Sequence, residues 1–329
     1  MNQLRILICV DGNHRIGMGH FYRTVNLAFE LRKNNHKIIF LTRDPIIKKL
    51  LPKSFECKLI KNDSKLNQKK TIEELKSNIL IIDKLREKTR TIKILQKICK
   101  NIISIDYIGK NKKNIKKNIN ILYPKSGISS NSISGFKFAI INKNFLKIKP
   151  IVIKKKIDSL VVIQGGSDTR CFIPKIINAL NRLKEKFKVS VVLGPSFNCW
   201  SKLQRVLENN IKPLKIYHNV KNMGSLMSKH DIAITGGGMT MLELSYLGIP
   251  SIIICGENFE NETATLMKKM GFGINLGYNP KLSEKQIASS TSELINNYIT
   301  RKNMNTHGKK IIDGKGARRV SKVIMSLGV

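Results

Sequence analysis

Apolar runs of four to seven residues recur along the whole chain, each ending in a polar or glycine-rich segment that leads into apolar positions at helical spacing. Runs bounded in this way read as buried strands, and their alternation with helices reads as βα units of a parallel sheet covered on both faces. In the first half the pattern predicts strands over 4–10, 37–41, 58–60, 79–83, 102–106 and 119–122, with helices over 21–34, 45–51, 71–76 and 89–100. Residues 107–135 are otherwise polar and basic, and 136–144 closes this half. A second series then starts afresh. Its strands are expected over 159–163, 189–193, 214–218, 232–235 and 251–254 and its helices over 172–187, 198–209 and 222–228, with further helix starts near 239 and 257 and a mostly helical tail from Ser283. Between the two series lies Lys147-Ile-Lys-Pro-Ile-Val-Ile-Lys-Lys-Lys156, a linker in which Pro150 breaks any helix and the lysines favour solvent. The expectation is an α/β protein of two Rossmann-like domains, 1–150 and 151–329, with strand ends and glycine loops opening onto an intervening cleft.

Three loops carry residues suited to chemistry. In the stretch from Asp231 to Leu244 a buried strand ending at Thr235 runs into Gly236, Gly237 and Gly238, and a helix begins at Met239 and Thr240. Glycines let a ligand approach the backbone, and the free amides of a helix start favour a di-anion. Glu243, one turn in, is placed to accept hydrogen bonds from two ribose hydroxyls, so a nucleoside diphosphate fits the whole stretch. A glycine triplet by itself equally closes an ordinary turn; the helix start and the acidic residue are what add a ligand. Gly165, Gly166 and Ser167 follow the 159–163 strand in the same way.

The third loop runs from Asp11 to His20, with Gly17 and Gly19 just before the histidine. A helix start disfavours imidazolium, so His20 is expected to serve as a neutral base, unless it is merely a polar residue at the start of a helix. Arg23, one turn on, either touches a substrate oxygen or pairs with a carboxylate. Asp11 either orients His20 or caps its loop, and the cap is the favoured reading.

Charge and composition narrow the classes. The 329 residues carry a net charge of +38, which by itself invites nucleic acid or an acidic membrane surface as partner. The lysines are spread along the chain beside isoleucine and asparagine, however, and aromatic residues are only 6%. No basic run alternates with stacking aromatics, so no nucleic-acid partner is expected. The charge is expected to hold acidic ligands loosely, which leaves room for peripheral contact with a membrane. No apolar run approaches the ~20 residues of a membrane span, and the first strand is too short for a secretory signal. Six cysteines without paired spacing read as reduced packing residues of a cytoplasmic protein. No Asp-x-Asp and no ligand cluster lies near the glycine turns, so neither metal nor cofactor is expected.

Several of these segments also carry a family likeness. Ile16-Gly-Met-Gly-His-Phe-Tyr-Arg23 with Leu27-Ala28, Phe138-Ala-Ile-Ile-Asn-Lys-Asn-Phe145, Gly165-Gly-Ser-Asp168, Met227 to Asp231, Gly236 to Glu243 and Leu247-Gly-Ile-Pro250 together resemble the UDP-sugar hydrolases of pseudaminic acid biosynthesis. Those enzymes are similar to the peptidoglycan GlcNAc transferase, with its GT-B fold. The resemblance runs from the first strand to about Gly277 and implies a GT-B-like fold with UDP on the second domain and His20 activating water to release UDP from an amino-deoxy sugar. It implies substrate contacts from Asp11, Gly17, Gly19, Arg23, Gly165, Gly166, Ser167, Gly237, Gly238, Met239, Thr240, Glu243 and Asn261. The chain departs from the pattern at Asp83-Lys84-Leu85, where the hydrolases carry Asp-His-Tyr, and at Glu260-Asn261-Glu262, where they carry Asn-Gln. The alternative is a glycosyltransferase of the same fold, with an acceptor hydroxyl in place of water beside His20.

Overall fold

Strands built almost wholly from isoleucine, leucine and valine lose both faces to solvent only inside a parallel sheet with helices on either side. The computed structural model of the chain, which describes all residues except 1–2, 13–17, 61–69, 71, 85–88, 110–111, 123–128, 219 and 328–329, contains two such sheets. They lie in two compact units, Met1–Asn142 with Gly314–Val329, and Lys143–Asp313.

In the first unit the strands are β1 (Arg5–Val10), β2 (Lys37–Thr42), β3 (Glu56–Leu59), β4 (Ile79–Asp83), β5 (Ile102–Ile105), β6 (Lys117–Asn120) and β7 (Ser132–Ser134). Their order is β3-β2-β1-β4-β5-β6-β7, with every pairing parallel. Leu7, Leu41, Leu80, Ile82, Ile92, Leu95 and Tyr107 form one side of the core. The last helix, Gly316–Met325, packs against the helix Gly19–Arg32 and so belongs with this unit. Several details differ from the expectation, among them the start of β3 at Glu56 and the end of the 89–100 helix at Ile98. β6 begins two residues earlier than expected, because buried Asn118 is satisfied by Ser104 Oγ at 2.6 Å and so tolerates the interior. β7 is a short edge strand of polar residues without an apolar signature.

The second unit holds β8 (Ser159–Ile163), β9 (Lys188–Leu193), β10 (Leu214–His218), β11 (Ile232–Thr235), β12 (Ser251–Ile254) and β13 (Ile274–Gly277), in the order β10-β9-β8-β11-β12-β13 and again all parallel. Ser283 starts the tail as expected, through a reciprocal capping box with Gln286. Residues 147–156 keep their lysines exposed and form no helix past Lys147, as their composition predicts, while their backbone is tied to the second unit. Ile151 donates its amide to Leu247 O at 2.8 Å and accepts from Asn305 Nδ2 at 3.1 Å. The carbonyls of Lys154 and Lys155 accept from buried Arg301 at 3.0 and 2.7 Å, so this segment is part of the second unit. One correction concerns the cysteines. Cys171 and Cys199, 28 residues apart, form a disulfide, in which Cys9, Cys57, Cys99 and Cys255 take no part.

Both sheets share one consequence of their order. In each, the chain winds outward in one direction from the first strand and returns to start again on its other side. Loops on the two sides of that point diverge, leaving a crevice at the carboxyl ends of the paired strands where ligands bind. In the first unit the point lies between β1 and β4, with Val10 beside Asp83. In the second it lies between β8 and β11, with Ile163 beside Thr235.

Candidate active site

At the first of these crevices the helix Gly19–Arg32 begins without a side-chain cap, and its first turn presents His20 and Arg23 on one face. Opposite them, at the ends of β4 and β5, stand Asp83 and Asp106, both fully buried. His20 Nδ1 lies 2.6 Å from Asp83 Oδ1, and the imidazole keeps 17% of its side-chain surface exposed. Arg23 donates from Nε to Asp83 Oδ2 at 2.7 Å, from Nη2 to Asp83 Oδ1, and from Nη1 to Asp106 Oδ2. Asp106 Oδ1 in turn accepts the amides of Ile121 at 2.6 Å and Leu122 at 2.9 Å.

Burial alone would raise the Asp83 carboxyl, but Arg23 and His20 outweigh it and hold the group below the usual carboxylate range. Burial would likewise favour loss of the Arg23 proton, and the two carboxylates reverse that and raise its pKa. Two carboxylates and one guanidinium leave a net negative charge against His20. A carboxylate on Nδ1 selects the Nδ1–H tautomer, so that Nε2 carries the free lone pair of a general base, and it stabilises the imidazolium that forms.

The structure thus resolves two alternatives left open by the sequence. Arg23 pairs with carboxylates in the interior. The residue that orients His20 is Asp83, which the sequence set out only as part of a departing motif. Asp11 instead pairs with Lys84 Nζ at 2.6 Å and accepts the amide of Arg43 at 3.3 Å, tying the ends of β1, β2 and β4 together. Gly19 is the exposed first residue of the helix. Gly17 lies outside the described residues.

In the second unit the turn Gly236–Gly237–Gly238 joins β11 to the helix Met239–Leu247, whose start has no side-chain cap. Gly237 is needed for close approach, since a Cβ there would stand 2.5 Å from Glu260 Cβ. Met239 and Thr240 are partly exposed at the helix start. Gly165, at φ +70°, turns the loop after β8, and Gly166 O accepts the amide of Ser196 at 2.9 Å. Ser167 is partly buried next to Asp168, whose carboxylate caps the following helix through the amides of Phe172 at 2.8 Å and Ile173 at 2.9 Å. Asn261 Oδ1 accepts from Asn275 Nδ2 at 3.0 Å, which holds it beside β13.

Two residues here were given no role by the sequence reading. Gln164, the last residue before Gly165, is 8% exposed, its Oε1 faces Gly236, and its Nε2 is buried without a hydrogen-bond partner among the described residues. Glu260 receives the amides of Gly256 at 2.8 Å and Glu257 at 3.2 Å, and burial raises its carboxyl although these amides oppose the shift. The sequence signal for Gln164 was its place directly before Gly165, and that for Glu260 its place in the departing Glu260-Asn261-Glu262 stretch.

Glu243 is partly buried with no cation or hydrogen-bond donor on its carboxyl among the described residues, and burial pushes that carboxyl up to about 8. A buried acceptor without a donor is the condition that two ribose hydroxyls would relieve. It also makes a pH prediction. The folded-state value lies above the ordinary 4.5, so the folded protein holds this proton more tightly, and stability should fall as pH rises from about 4.5 to about 8. Glu243→Gln removes that loss. The variant should gain about 1–3 kcal/mol over the parent at pH 8 and little at pH 4.5, discounted for solvent reaching the carboxyl. Urea denaturation at the two pH values checks it; an equal difference at both would show that the carboxyl is not perturbed.

Two doubly wound parallel α/β units, each with its polar crevice at the switch point, define the GT-B-like fold. The crystal structure of MurG from Acinetobacter baumannii matches with a TM-score of 0.72 over 98% of this chain and 100% of that one, at 12% identity, a likeness of fold. Residues 160–319 match the glycosyltransferase family 28 C-terminal domain. The uncharacterized protein MJ1062 of Methanocaldococcus jannaschii is 32% identical over 287 residues, covering 79% of this chain and 57% of that protein. The spore coat polysaccharide biosynthesis protein SpsG of Bacillus subtilis is 26% identical over 179 residues, covering 53% and 52%. The chain therefore spans a little over half the length of these curated relatives. Among the described residues no helix is long and apolar enough to cross a membrane, and no group of three or more His, Cys, Asp or Glu is placed to hold a metal ion.

Proposed function

We propose that the protein is a glycosyltransferase that takes a sugar from a nucleoside diphosphate, UDP by the resemblance of its motifs, and transfers it to an alcohol acceptor. The observation that carries this reading is that the segment matching the glycosyltransferase family 28 C-terminal domain contains the whole glycine-turn site, from Gln164 to Glu260. The same match and the MurG-like fold favour transfer over the hydrolysis that the His20 motif implies. The relationship to SpsG supports an acceptor from the precursors of a surface polysaccharide.

His20 Nε2 takes the acceptor's hydroxyl proton, with Asp83 holding Nδ1–H and stabilising the cation formed. The oxygen bonds to the anomeric carbon as the carbon–oxygen bond to the diphosphate breaks, and that electron pair leaves on the diphosphate. The amides at the start of the Met239–Leu247 helix and the amide of Gln164 then face the departing charge. Glu243 takes the ribose hydroxyls.

The test incubates the purified full chain with UDP-linked amino sugars and follows UDP release with and without alcohol acceptors. Release that depends on acceptor is the expected result. Release at the full rate in water alone would assign hydrolysis, and no release with any sugar would remove the enzymatic reading. For the nucleotide site, Glu243→Ala should weaken UDP binding by about 1–3 kcal/mol in calorimetry. Equal affinity in parent and variant would take Glu243 off the ribose.

A further inference from the structure

We propose that Asp106 is a positioning residue for His20, acting through Arg23 and Asp83 to select the imidazole tautomer that can act as a base. The inference rests on the reading of His20 as the base. It concerns residues deeper than any expected to touch substrate.

The geometry poses a choice at His20 Nδ1. Two groups reach that atom: Asp83 Oδ1 at 2.6 Å and Arg23 Nη2 at 3.1 Å. If Nδ1 carries a proton, it donates to Asp83 and Nε2 keeps its lone pair. If Nδ1 carries the lone pair instead, Arg23 donates to it, the proton sits on Nε2, and Nε2 cannot take another. The position of the Arg23 fork therefore decides which nitrogen is the base.

Asp106 sets that position. It draws Nη1 to its own Oδ2, which leaves Nε and Nη2 aligned on the two oxygens of Asp83. Asp106 is itself held from three sides. Its other carboxylate oxygen accepts the amides of Ile121 and Leu122, its own amide donates to Ile119 O at 2.9 Å, and its backbone lies at φ +51°, a region that non-glycine residues rarely occupy. A structural role for buried Arg23 would be met by one carboxylate and a neutral acceptor, leaving the cluster uncharged. The second buried carboxylate is costly unless a positive charge arises beside it, and the imidazolium formed in proton transfer is that charge.

The test is Asp106→Asn, read by nitrogen NMR of the His20 imidazole in the full chain, where the two tautomers give separate nitrogen shifts. The parent should show the Nδ1–H form, and the variant a shift of population toward Nε2–H. On a substrate found by the release assay, kcat should fall roughly 10–100-fold, the range known for outer partners of an oriented imidazole, with KM little changed. A folded variant with the parent's tautomer would overturn the proposal. If Asp106→Asn does not fold, Arg23→Lys makes the same test, because lysine keeps the charge without the fork and should shift the tautomer likewise. Loss of fold in both would assign the cluster to stability alone and overturn the proposal as well. The NMR readout needs no substrate, so failure to find UDP release would defeat the functional reading and leave this result interpretable.

Discussion

Replacing His20 by Asn should lower turnover by roughly 10²- to 10⁴-fold, the contribution of a positioned proton transfer, while nucleotide affinity stays unchanged. Asn keeps a polar side chain at the helix start and leaves the Arg23–Asp83–Asp106 cluster intact. UDP binding rests on the second unit in this reading and supplies the internal control. Parallel melting curves and UDP titrations would separate loss of chemistry from loss of fold. Near-normal turnover in the variant, on a substrate the parent turns over, would leave His20 as a helix-start residue and reassign the base.

A comparable effect, on stability, is expected from Arg23→Ala. The change leaves Asp83 and Asp106 as two buried carboxylates without their cation. Stranding a buried charge in this way costs about 3–5 kcal/mol. The dependence on pH has a defined sign. In the parent, the folded-state value of Asp83 lies below its ordinary one despite burial, so its contribution is present above the ordinary carboxylate value and is lost as pH falls through the folded one. Without Arg23, burial dominates and the folded-state value rises, so the variant gains stability on acidification. The deficit should therefore be largest near neutrality and shrink toward about pH 4, where carboxyls begin to protonate. Chemical denaturation at the two pH values measures it. A deficit that is small, or constant with pH, would mean that water or rearranged donors take the place of Arg23.

Much of the fold was legible because it depends on local spacing. Solid apolar runs between polar loops placed β4, β8 and β11 at their observed bounds. The strands that escaped, β7 and β13, lack such a run: Ser132-Ile-Ser134 is mostly polar, and Ile274-Asn-Leu-Gly277 is only partly buried. Residues 147–156 followed the same rule in their side chains, whose lysines are exposed as composition predicts. The backbone carbonyls of Lys154 and Lys155, however, are held by Arg301, some 146 residues away, and composition carries no trace of a backbone acceptor's partner. The disulfide between Cys171 and Cys199 was hidden for a related reason, since each directly precedes the helix that follows one of two neighbouring strands in the sheet.

At the candidate site the same division holds. By itself the sequence determined that His20 and Arg23 share one face of a helix start, since they stand three residues apart. It also determined that Gly236 to Gly238 precede a helix with Glu243 one turn in, because both facts follow from backbone geometry within a few residues. Only the tertiary structure decided that Asp83, 60 residues from Arg23, orients His20 in place of Asp11, and that Asp106, 83 residues away, completes the clamp. Only there do Gln164 and Glu260 meet the glycine turn. These partners come from the ends of different strands, and which strand ends are neighbours is set by the order in which strands enter the sheet, a choice made by the packing of whole βα units and written in no local spacing.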